Sequence, residues 1–142
     1  MKERIKIGCA IVKDNKLLFV RERGKKGYIL PGGRLKKGEN EIDCIRRELK
    51  EELNVSLISA KYLFTKKFRK SVYDGLPVTV KIYLTKIKGD LNPSREIVEY
   101  KWIGREEMNK FITMKKMNNY RDLFKIFSKY CLKTALRSSK KF

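Results

Sequence analysis

Alternating apolar and polar positions mark the start of the chain. In residues 4–12 every second position is apolar, which is typical of a half-buried β-strand. Residues 13–16, with the sequence KDNK, favour a tight turn because Asp and Asn adopt turn conformations readily. Residues 17–21 are nearly all apolar and predict a second strand. This segment therefore predicts a β-hairpin, and the buried face of its first strand would carry Ile5, Ile7, Cys9 and Ile11.

The pattern changes to a helical period in the stretch from Gly32 to Val55, between Ile42 and Leu53. Apolar residues recur there every three or four positions, as on one face of an α-helix with about 3.6 residues per turn. A second face carries Glu48, Glu51 and Glu52 at the spacing i, i+3 and i+4. The sequence therefore predicts an amphipathic helix, whose core side would consist of Ile42, Ile45, Leu49 and Leu53.

The remaining chain predicts further strands and two more helices. The predicted strands cover residues 56–64, 65–73, 77–87 and 98–103. Residues 106–112 predict a short helix, and Asn118 or Asn119 is suited to cap a last helix that ends near Leu136. Strands on both sides of a central helix predict an α/β or α+β sandwich. No linker or repeat interrupts the pattern, so we expect a single domain over residues 1–142.

The chain is strongly basic, with 36 Lys and Arg residues against 16 Asp and Glu residues and a formal net charge of +20. This charge favours a polyanionic partner, either a nucleotide or a nucleic acid. The lysines are spread along the whole chain, however, and a compositional bias would produce the same count. Nucleic-acid binding is therefore an open alternative.

Features that the sequence lacks exclude several classes of protein and of catalytic site. No apolar run approaches the length of about 18 residues that a transmembrane helix needs, and the N-terminus lacks the cleavage site of a signal peptide. The absence of histidine excludes histidine-based catalysis and the usual zinc sites. Cys9, Cys44 and Cys131 are odd in number and far apart, which predicts reduced thiols in a cytoplasmic protein without a membrane partner.

The glutamates of the predicted helix are the candidate chemistry. Like charges at i+3 and i+4 repel one another unless a cation neutralises them, and Arg47 reaches only part of the group, from four residues before Glu51. Carboxylate oxygens suit Mg²⁺, or Mn²⁺, better than zinc. A charged face exposed to solvent would contain the same residue types, so the choice between solvent and metal depends on the surrounding sequence.

The surrounding sequence has a specific spacing. Gly33 is followed after five residues by Glu39 and, after seven more, by the run RELKEELNV from Arg47 to Val55. This arrangement resembles the signature of the Nudix hydrolase family, G-x5-E-x7-R-E-U-x-E-E-x-G-U, where U is aliphatic. The single departure is Asn54 in place of the last glycine, and Asn is the next most tolerated residue at a left-handed helix end. The resemblance implies an α/β/α sandwich with a mixed β-sheet between helices.

The resemblance also implies roles for the residues of the signature. A divalent metal would bind the Gly32 carbonyl and the carboxylates of Glu48, Glu51 and Glu52. Glu48 would act as the general base, with Glu52 as the second choice. Arg47 would orient the glutamates rather than act on the substrate.

Other residues are implied less directly. Glu39 would orient the loop or support the metal ligands. Glu96, six residues before Trp102, resembles a metal-linked glutamate of some family members, and Glu99 is its rival. An ordinary surface glutamate is the alternative at both positions.

Substrate contacts are predicted in three places. Arg21 and Arg23 belong to a basic, glycine-bearing loop that would meet phosphates or face solvent. The glycine pair before the helix, which includes Gly33, lets the backbone approach a ligand closely. Asn119 or Asn118 would hydrogen-bond a base, although capping of the last helix explains these residues as well.

The signature indicates a nucleoside diphosphate linked to another group, without naming that group. The compact length and the positions of Glu96 and Trp102 favour a MutT-like enzyme that converts a (d)NTP or an oxidised NTP into a monophosphate and pyrophosphate. The alternative is a hydrolase of dinucleoside polyphosphates or 5′-phosphorylated RNA ends. A non-catalytic binding module is a third hypothesis, which the complete set of carboxylates disfavours. Both a monomer and a homodimer fit the sequence.

Overall fold

The computed structural model describes residues 4–70 and 75–112, together with residues 126 and 129. Its elements are, in chain order, β1 (Ile5–Ala10), β2 (Val12–Lys13), β3 (Lys16–Glu22), β4 (Gly32–Arg34), α1 (Glu41–Leu53), β5 (Ser56–Phe68), β6 (Val78–Lys88), β7 (Ile97–Gly104) and α2 (Arg105–Ile112). The predicted central helix, late strand and short helix are confirmed within a few residues. The predicted hairpin is confirmed only at its turn, where β2 pairs with β3, because β1 pairs with β4 and β6 in the other sheet. The predicted last helix, with Asn118 and Asn119, lies outside the described residues.

The strands form two sheets. A four-stranded sheet has the order β4-β1-β6-β5, in which β1 and β6 are parallel and the other pairs are antiparallel. A three-stranded antiparallel sheet has the order β2-β3-β7. The mixed sheet is therefore confirmed, and the second sheet, which the sequence pattern did not predict, accompanies it.

Buried side chains form two hydrophobic cores. The first core joins α1 to β1 and β3 and contains, among others, Ile7, Cys9, Val20, Ile45 and Leu49. The second core joins α2 to the opposite faces of the strands and contains Ala10, Leu17, Phe19, Ile82, Ile103, Met108 and Ile126. Neighbouring residues along a strand therefore enter different cores, as the period of two requires.

The prediction that β1 is half-buried is wrong. Residues 7–10 are all buried, because β1 lies between two other strands and both of its faces are covered. The second face carries the small residues Gly8 and Ala10. Because neither is strongly apolar, the sequence pattern made this face resemble a solvent-exposed one. A strand with a parallel neighbour is typically covered on both sides in this way.

Helix α1 ends where predicted, begins after a cap that was not predicted, and has a slightly different buried face. The Asn40 side chain caps its first turn by accepting a hydrogen bond from the Asp43 N–H at 2.8 Å. Asn54 ends the helix in the left-handed conformation expected from the signature, with φ 57° and ψ 36°. Ile42 was predicted in the core, yet 37% of its surface is exposed because it lies in the first turn, beside a surface cavity, and Cys44 is buried instead.

Strand β5 corrects the prediction of two separate strands in residues 56–73. It is one strand from Ser56 to Phe68, paired with β6 from Ser56 opposite Lys88 to Phe68 opposite Val78. The pairing shifts register near Ile58 and again near Leu63. Such bulges interrupt the period of two, which is why one long strand resembles two short ones in the sequence. No helix in the described part of the chain is long and apolar enough to cross a membrane.

Candidate functional site

Arg47 is the centre of a network of carboxylates on α1 and the preceding loop. Its guanidinium binds Glu39 through two hydrogen bonds, from Nε at 2.7 Å and from Nη2 at 2.9 Å. Its Nη1 donates to Glu48 at 2.8 Å and to Glu51 at 3.4 Å. These hydrogen bonds lower the pKa of Glu39 to about 2. Arg47 therefore holds three of the four predicted glutamates in fixed positions.

Glu52 is held by the backbone on the other side of this network. Its carboxylate accepts a hydrogen bond from the Gly32 N–H at 2.8 Å. Burial raises the pKa of Glu52 to about 8, with the charge of Glu48 acting in the same direction. Burial also raises the pKa of Glu48, against the opposing effect of Arg47. The structure thus places two partly buried carboxylates one helical turn apart on α1, an arrangement that a cation would stabilise.

The two glycines before α1 allow the helix and β4 to lie close together. Gly32 has a φ of +134°, and a Cβ atom at this residue would overlap the carbonyl oxygen of Ile7 on β1. A Cβ atom on Gly33 would overlap the Glu48 carboxylate. Any larger residue would therefore displace the strand or the glutamate, which explains the glycine pair physically.

The loop between β6 and β7 is attached to the end of α1. The Ser94 N–H donates to the Glu52 carbonyl at 3.0 Å, and the Ser94 hydroxyl donates to the Glu51 carbonyl at 2.6 Å. The Asn54 side chain donates to the Asn92 carbonyl at 2.7 Å and to the Ser94 hydroxyl at 3.1 Å. These contacts attach residues 92–94 to the C-terminal end of α1, and Arg95 Nη1 lies 3.7 Å from the Glu51 carboxylate.

The two late glutamates have different surroundings. Glu96 is exposed, and its backbone carbonyl accepts a hydrogen bond from the Arg23 N–H at 2.7 Å. Glu99 forms an ion pair with Arg21 and accepts a hydrogen bond from the Tyr28 hydroxyl at 2.8 Å. The hydrogen bond from Arg21 lowers the pKa of Glu99. Glu96 is therefore the glutamate whose loop is attached to α1, whereas Glu99 is engaged across the β3–β7 pair.

The predicted phosphate-binding residues lie on different elements. Arg21 belongs to β3 and not to the loop, and besides Glu99 its guanidinium contacts the Lys25 carbonyl at 3.0 Å. Arg23 is exposed in the loop that follows. Asn119 lies outside the described residues.

Several charged residues near the carboxylates were missed by the sequence interpretation, among them Arg95, which pairs with Glu51 at 3.7 Å. The charge of Lys6 lowers the pKa of Glu52, and that of Glu22 raises it. The charge of Lys36 lowers the pKa of Glu48. Lys6 reaches the site because β1 pairs with β4, and Glu22 because β3 ends there, so only strand pairing could have revealed them.

The described cysteines are free and buried, as predicted. Cys44 lies beneath the network: it donates to the Arg34 carbonyl at 3.5 Å, and its sulfur lies 3.8 Å from Nη2 of Arg47. Burial raises the pKa of Cys44 to about 12, and that of Cys9 is raised for the same reason. Thiols of this kind are weak nucleophiles. Cys131 lies outside the described residues.

The glutamates do not enclose a cation in their present rotamers. Within residues 4–70 and 75–112, no three His, Cys, Asp or Glu side chains are gathered closely enough to hold a metal ion. The reason is visible in the hydrogen bonds: Glu48 and Glu51 point to Arg47, and Glu52 points to the Gly32 N–H.

Comparison with known proteins identifies the arrangement. The family model described as NUDIX domain matches residues 2–124. An 8-oxo-dGTP diphosphatase from Buchnera aphidicola subsp. Schizaphis graminum is 32% identical over 107 residues, covering 71% of this chain and 77% of the relative. An RNA pyrophosphohydrolase from Nitratiruptor sp. is 30% identical over 112 residues, covering 70% and 72%.

Solved structures agree on the fold. The crystal structure of a MutT protein from Methanosarcina mazei Go1 has a TM-score of 0.71 and 20% sequence identity, and the match covers 90% of this chain and 96% of that one. The signature residues, their convergence around Arg47 and Gly32, and these matches lead to one conclusion. The chain belongs to the Nudix family as a MutT-like hydrolase that acts on phosphoanhydride bonds.

Proposed function

We propose that this enzyme is a pyrophosphohydrolase that depends on a divalent cation and cleaves a (d)NTP or an oxidised NTP into a nucleoside monophosphate and pyrophosphate. The observation that carries the proposal is the pair of partly buried carboxylates, Glu48 and Glu52, beside the Gly32–Gly33 backbone. The name of the Buchnera relative, 8-oxo-dGTP diphosphatase, supports this substrate class.

The donor types around this backbone suit a magnesium ion, which would bind once the side chains of Glu48 and Glu52 turn away from Arg47 and the Gly32 N–H. Gly32 offers a carbonyl oxygen, and Glu48, Glu51 and Glu52 offer carboxylate oxygens, a set that hard cations such as Mg²⁺ and Mn²⁺ prefer. Glu96 is the further candidate, because its loop is attached to the end of α1 by Ser94. When bound, the cation would neutralise phosphate oxygens and lower the pKa of a bound water.

The chain's own residues would position the reaction. Arg47 binds one oxygen of Glu48 and fixes its carboxylate, so the second oxygen is oriented to accept a proton from the attacking water. Glu52 is the second choice for this role, because burial raises its pKa to about 8. Glu39 fixes the orientation of the Arg47 guanidinium by accepting two hydrogen bonds from it.

Basic and backbone groups near the carboxylates would bind the phosphates. Lys6 and Lys36 lie within electrostatic reach of Glu52 and Glu48, and exposed Arg23 is the loop residue suited to the same task. The Gly33 backbone stays a predicted substrate contact; the Glu48 carboxylate lies directly against it, so a ligand there would meet both groups. Arg21 would act indirectly, through its ion pair with Glu99.

A product assay tests the proposal. The protein is incubated with Mg²⁺ or Mn²⁺ and with canonical (d)NTPs, oxidised (d)NTPs, ADP-ribose, diadenosine polyphosphates and a 5′-triphosphorylated RNA, and the products are identified by mass. We expect a monophosphate and pyrophosphate from a nucleoside triphosphate. Release of single orthophosphates, or no turnover of any triphosphate, would contradict the proposal.

A second candidate function is hydrolysis of 5′-phosphorylated RNA ends or dinucleoside polyphosphates. Two observations favour the RNA form: the similarity to the RNA pyrophosphohydrolase of Nitratiruptor and the net charge of +20. Cleavage of an RNA end would fall steeply with increasing salt, because a polyanion releases counterions when it binds. A single cytoplasmic domain, as a monomer or homodimer, stays a prediction.

A further inference from the structure

Arg95, in the loop between β6 and β7, has a backbone conformation that is uncommon for arginine. Its φ is +57°, in the left-handed region that glycine, asparagine and aspartate adopt most readily. The other non-glycine residues with positive φ in the described part of the chain are Asp14, Asn15 and Asn54, all of types that tolerate this region. Strained residues such as Arg95 cluster at functional sites.

The backbone on both sides of Arg95 is held by hydrogen bonds. Ser94, which precedes it, donates from its N–H and its hydroxyl to two carbonyl groups near the end of α1. The Ile97 N–H donates to the Ser94 carbonyl at 3.1 Å and closes the turn that contains Arg95. Glu96, which follows, accepts a hydrogen bond from the Arg23 N–H at 2.7 Å. The Arg95 side chain therefore extends from a fixed point beside α1, as a residue that positions a ligand requires.

The guanidinium of Arg95 is loosely paired with Glu51. The two carboxylate oxygens of Glu51 lie 3.7 Å from Arg95 Nη1 and 3.4 Å from Arg47 Nη1. Both distances exceed the upper limit of about 3.2 Å for an ordinary hydrogen bond, whereas Arg47 and Glu48 lie 2.8 Å apart. The Arg95 side chain is also 70% exposed, and exposed ion pairs are weak. Arg95 can therefore leave Glu51 at little cost.

The position of Glu51 gives Arg95 a second possible partner. Glu51 is one of the proposed cation ligands, and a cation on its oxygens would compete with the Arg95 guanidinium. The same cation would bring the phosphate oxygens of a substrate to this end of α1. A guanidinium is permanently charged, and its planar fork matches two phosphate oxygens. The group displaced from the carboxylate is thus one that phosphate binds well.

We propose that Arg95 is a phosphate-binding residue of the active site, which pairs with Glu51 in the free enzyme and moves to the substrate's phosphate oxygens when a cation occupies Glu51. The nature of the phosphate ligand, a nucleoside triphosphate, rests on the proposed function, whereas the competition for Glu51 does not. Removal of Arg95 should then have two opposite effects. A cation alone should bind more tightly, and a phosphate ligand should bind more weakly.

Two arginine variants test these opposite effects. Arg95→Gln removes the charge and keeps the strained backbone. Arg46→Gln removes the same charge from an arginine of α1 that is 61% exposed and pairs with Asp43. Calorimetry measures the affinity for Mn²⁺ alone, and then for α,β-methylene dGTP, which resists cleavage between its first two phosphates, at saturating Mn²⁺.

We expect Arg95→Gln to bind Mn²⁺ about two- to five-fold more tightly, the size of an exposed ion pair. It should bind the analogue about 10-fold more weakly or worse, as for a lost hydrogen bond to a charged group. Arg46→Gln should leave both affinities close to the original. A purely structural role of Arg95 would weaken both affinities together. That result, or equal effects of the two variants, would overturn the proposal.

Arg95→Gly separates the side chain from the fold. Glycine adopts the left-handed backbone without strain, so this variant should melt no lower than Arg95→Gln. It should nevertheless lose the same affinity for the analogue, because the guanidinium is absent from both variants. A folded glycine variant that binds the analogue as tightly as the original protein would overturn the proposal.

Hydrolysis of nucleoside triphosphates is measured on the same samples. Opposite changes of the two affinities without hydrolysis by the original protein would support the role of Arg95 and contradict the proposed function. Hydrolysis by the original protein, with unchanged analogue affinity in the Arg95 variants, would do the reverse. An original protein that does not bind the analogue with Mn²⁺ would overturn the phosphate-binding role directly.

Discussion

The side-chain amide of Asn54 donates a hydrogen bond to the hydroxyl of Ser94 at 3.1 Å, across the end of helix α1. Asn54 replaces the glycine of the family signature and has the same left-handed backbone, with φ 57°. Glycine would end the helix equally well but could not hold the loop that carries Ser94. The departure from the signature therefore adds an attachment between α1 and the segment before β7.

Substitutions of Asn54 should separate these two contributions. Asn54→Gly keeps the backbone conformation and loses the side-chain contacts, so its free energy of unfolding should lie within about 1 kcal/mol of the original. Asn54→Ala loses the contacts and also strains the left-handed residue, which should cost about 1 kcal/mol more. Urea denaturation of both variants measures the difference, and a more stable alanine variant would contradict the cap geometry.

The two adjacent arginines of α1 give a second prediction. Arg47→Lys removes the double hydrogen bond to Glu39 and releases Glu48, so kcat/KM should fall by about 10- to 100-fold, as for residues that orient ligands. Arg46→Lys is the control, because Arg46 is exposed and pairs only with Asp43 in the described contacts. Equal activity of the two variants would show that the Arg47 network does not orient the site.

The ion pair between Glu41 and Lys81 predicts a dependence of stability on pH. The Lys81 ammonium, at 2.8 Å, and the Tyr83 hydroxyl lower the pKa of Glu41 below its ordinary value of 4.5. A lowered folded-state pKa stabilises the fold above about pH 4.5, and this stabilisation is lost as the pH falls through the folded-state value. Glu41→Gln should therefore cost about 1 kcal/mol at pH 7 and less under acid conditions.

Chemical denaturation of the Glu41→Gln variant at a series of pH values measures this effect. Glu106→Gln is a suitable control, because Glu106 is an exposed residue of the first turn of α2. A cost for Glu41→Gln that stays constant down to strongly acidic pH would contradict the ion pair.

The buried thiols should be chemically inert. Because burial raises the pKa of Cys44 to about 12 and raises that of Cys9 as well, little thiolate is present at neutral pH. Iodoacetamide should therefore leave both residues unmodified in the folded protein and label them in urea, as peptide mass spectrometry would show. Rapid labelling of Cys44 without denaturant would contradict its position beneath Arg47.

Local features of the fold could be predicted from the sequence. The turn at Asp14 and Asn15, the presence of the central helix and its end at Asn54 depend on neighbouring residues, and all three are confirmed. Turn residues, caps and helical periods act over a few positions, so a single sequence contains them.

Features that depend on distant pairing could not be predicted. The burial of both faces of β1 follows from the two cores that pack on either side of it. The proximity of Lys6 to Glu52 follows from the pairing of β1 with β4, and that of Glu22 from the position of β3 in the second sheet. The signature contained the glutamates and their spacing but gave no information on which residues of other strands surround them. The different surroundings of Glu96 and Glu99 could not be predicted either, because the ion pair of Glu99 with Arg21 depends on the register between β3 and β7.

The most direct test of the proposed site is the hydrolysis rate of the Glu52→Gln variant with saturating Mg²⁺. Glutamine keeps the size of the side chain and its hydrogen bond from the Gly32 N–H but removes the negative charge. The account predicts that kcat falls by about 10²- to 10⁴-fold, the range for removal of a catalytic acid–base group, while the circular dichroism spectrum and melting temperature are preserved. A well-folded Glu52→Gln variant with the original rate would contradict the assignment of this carboxylate to the active site.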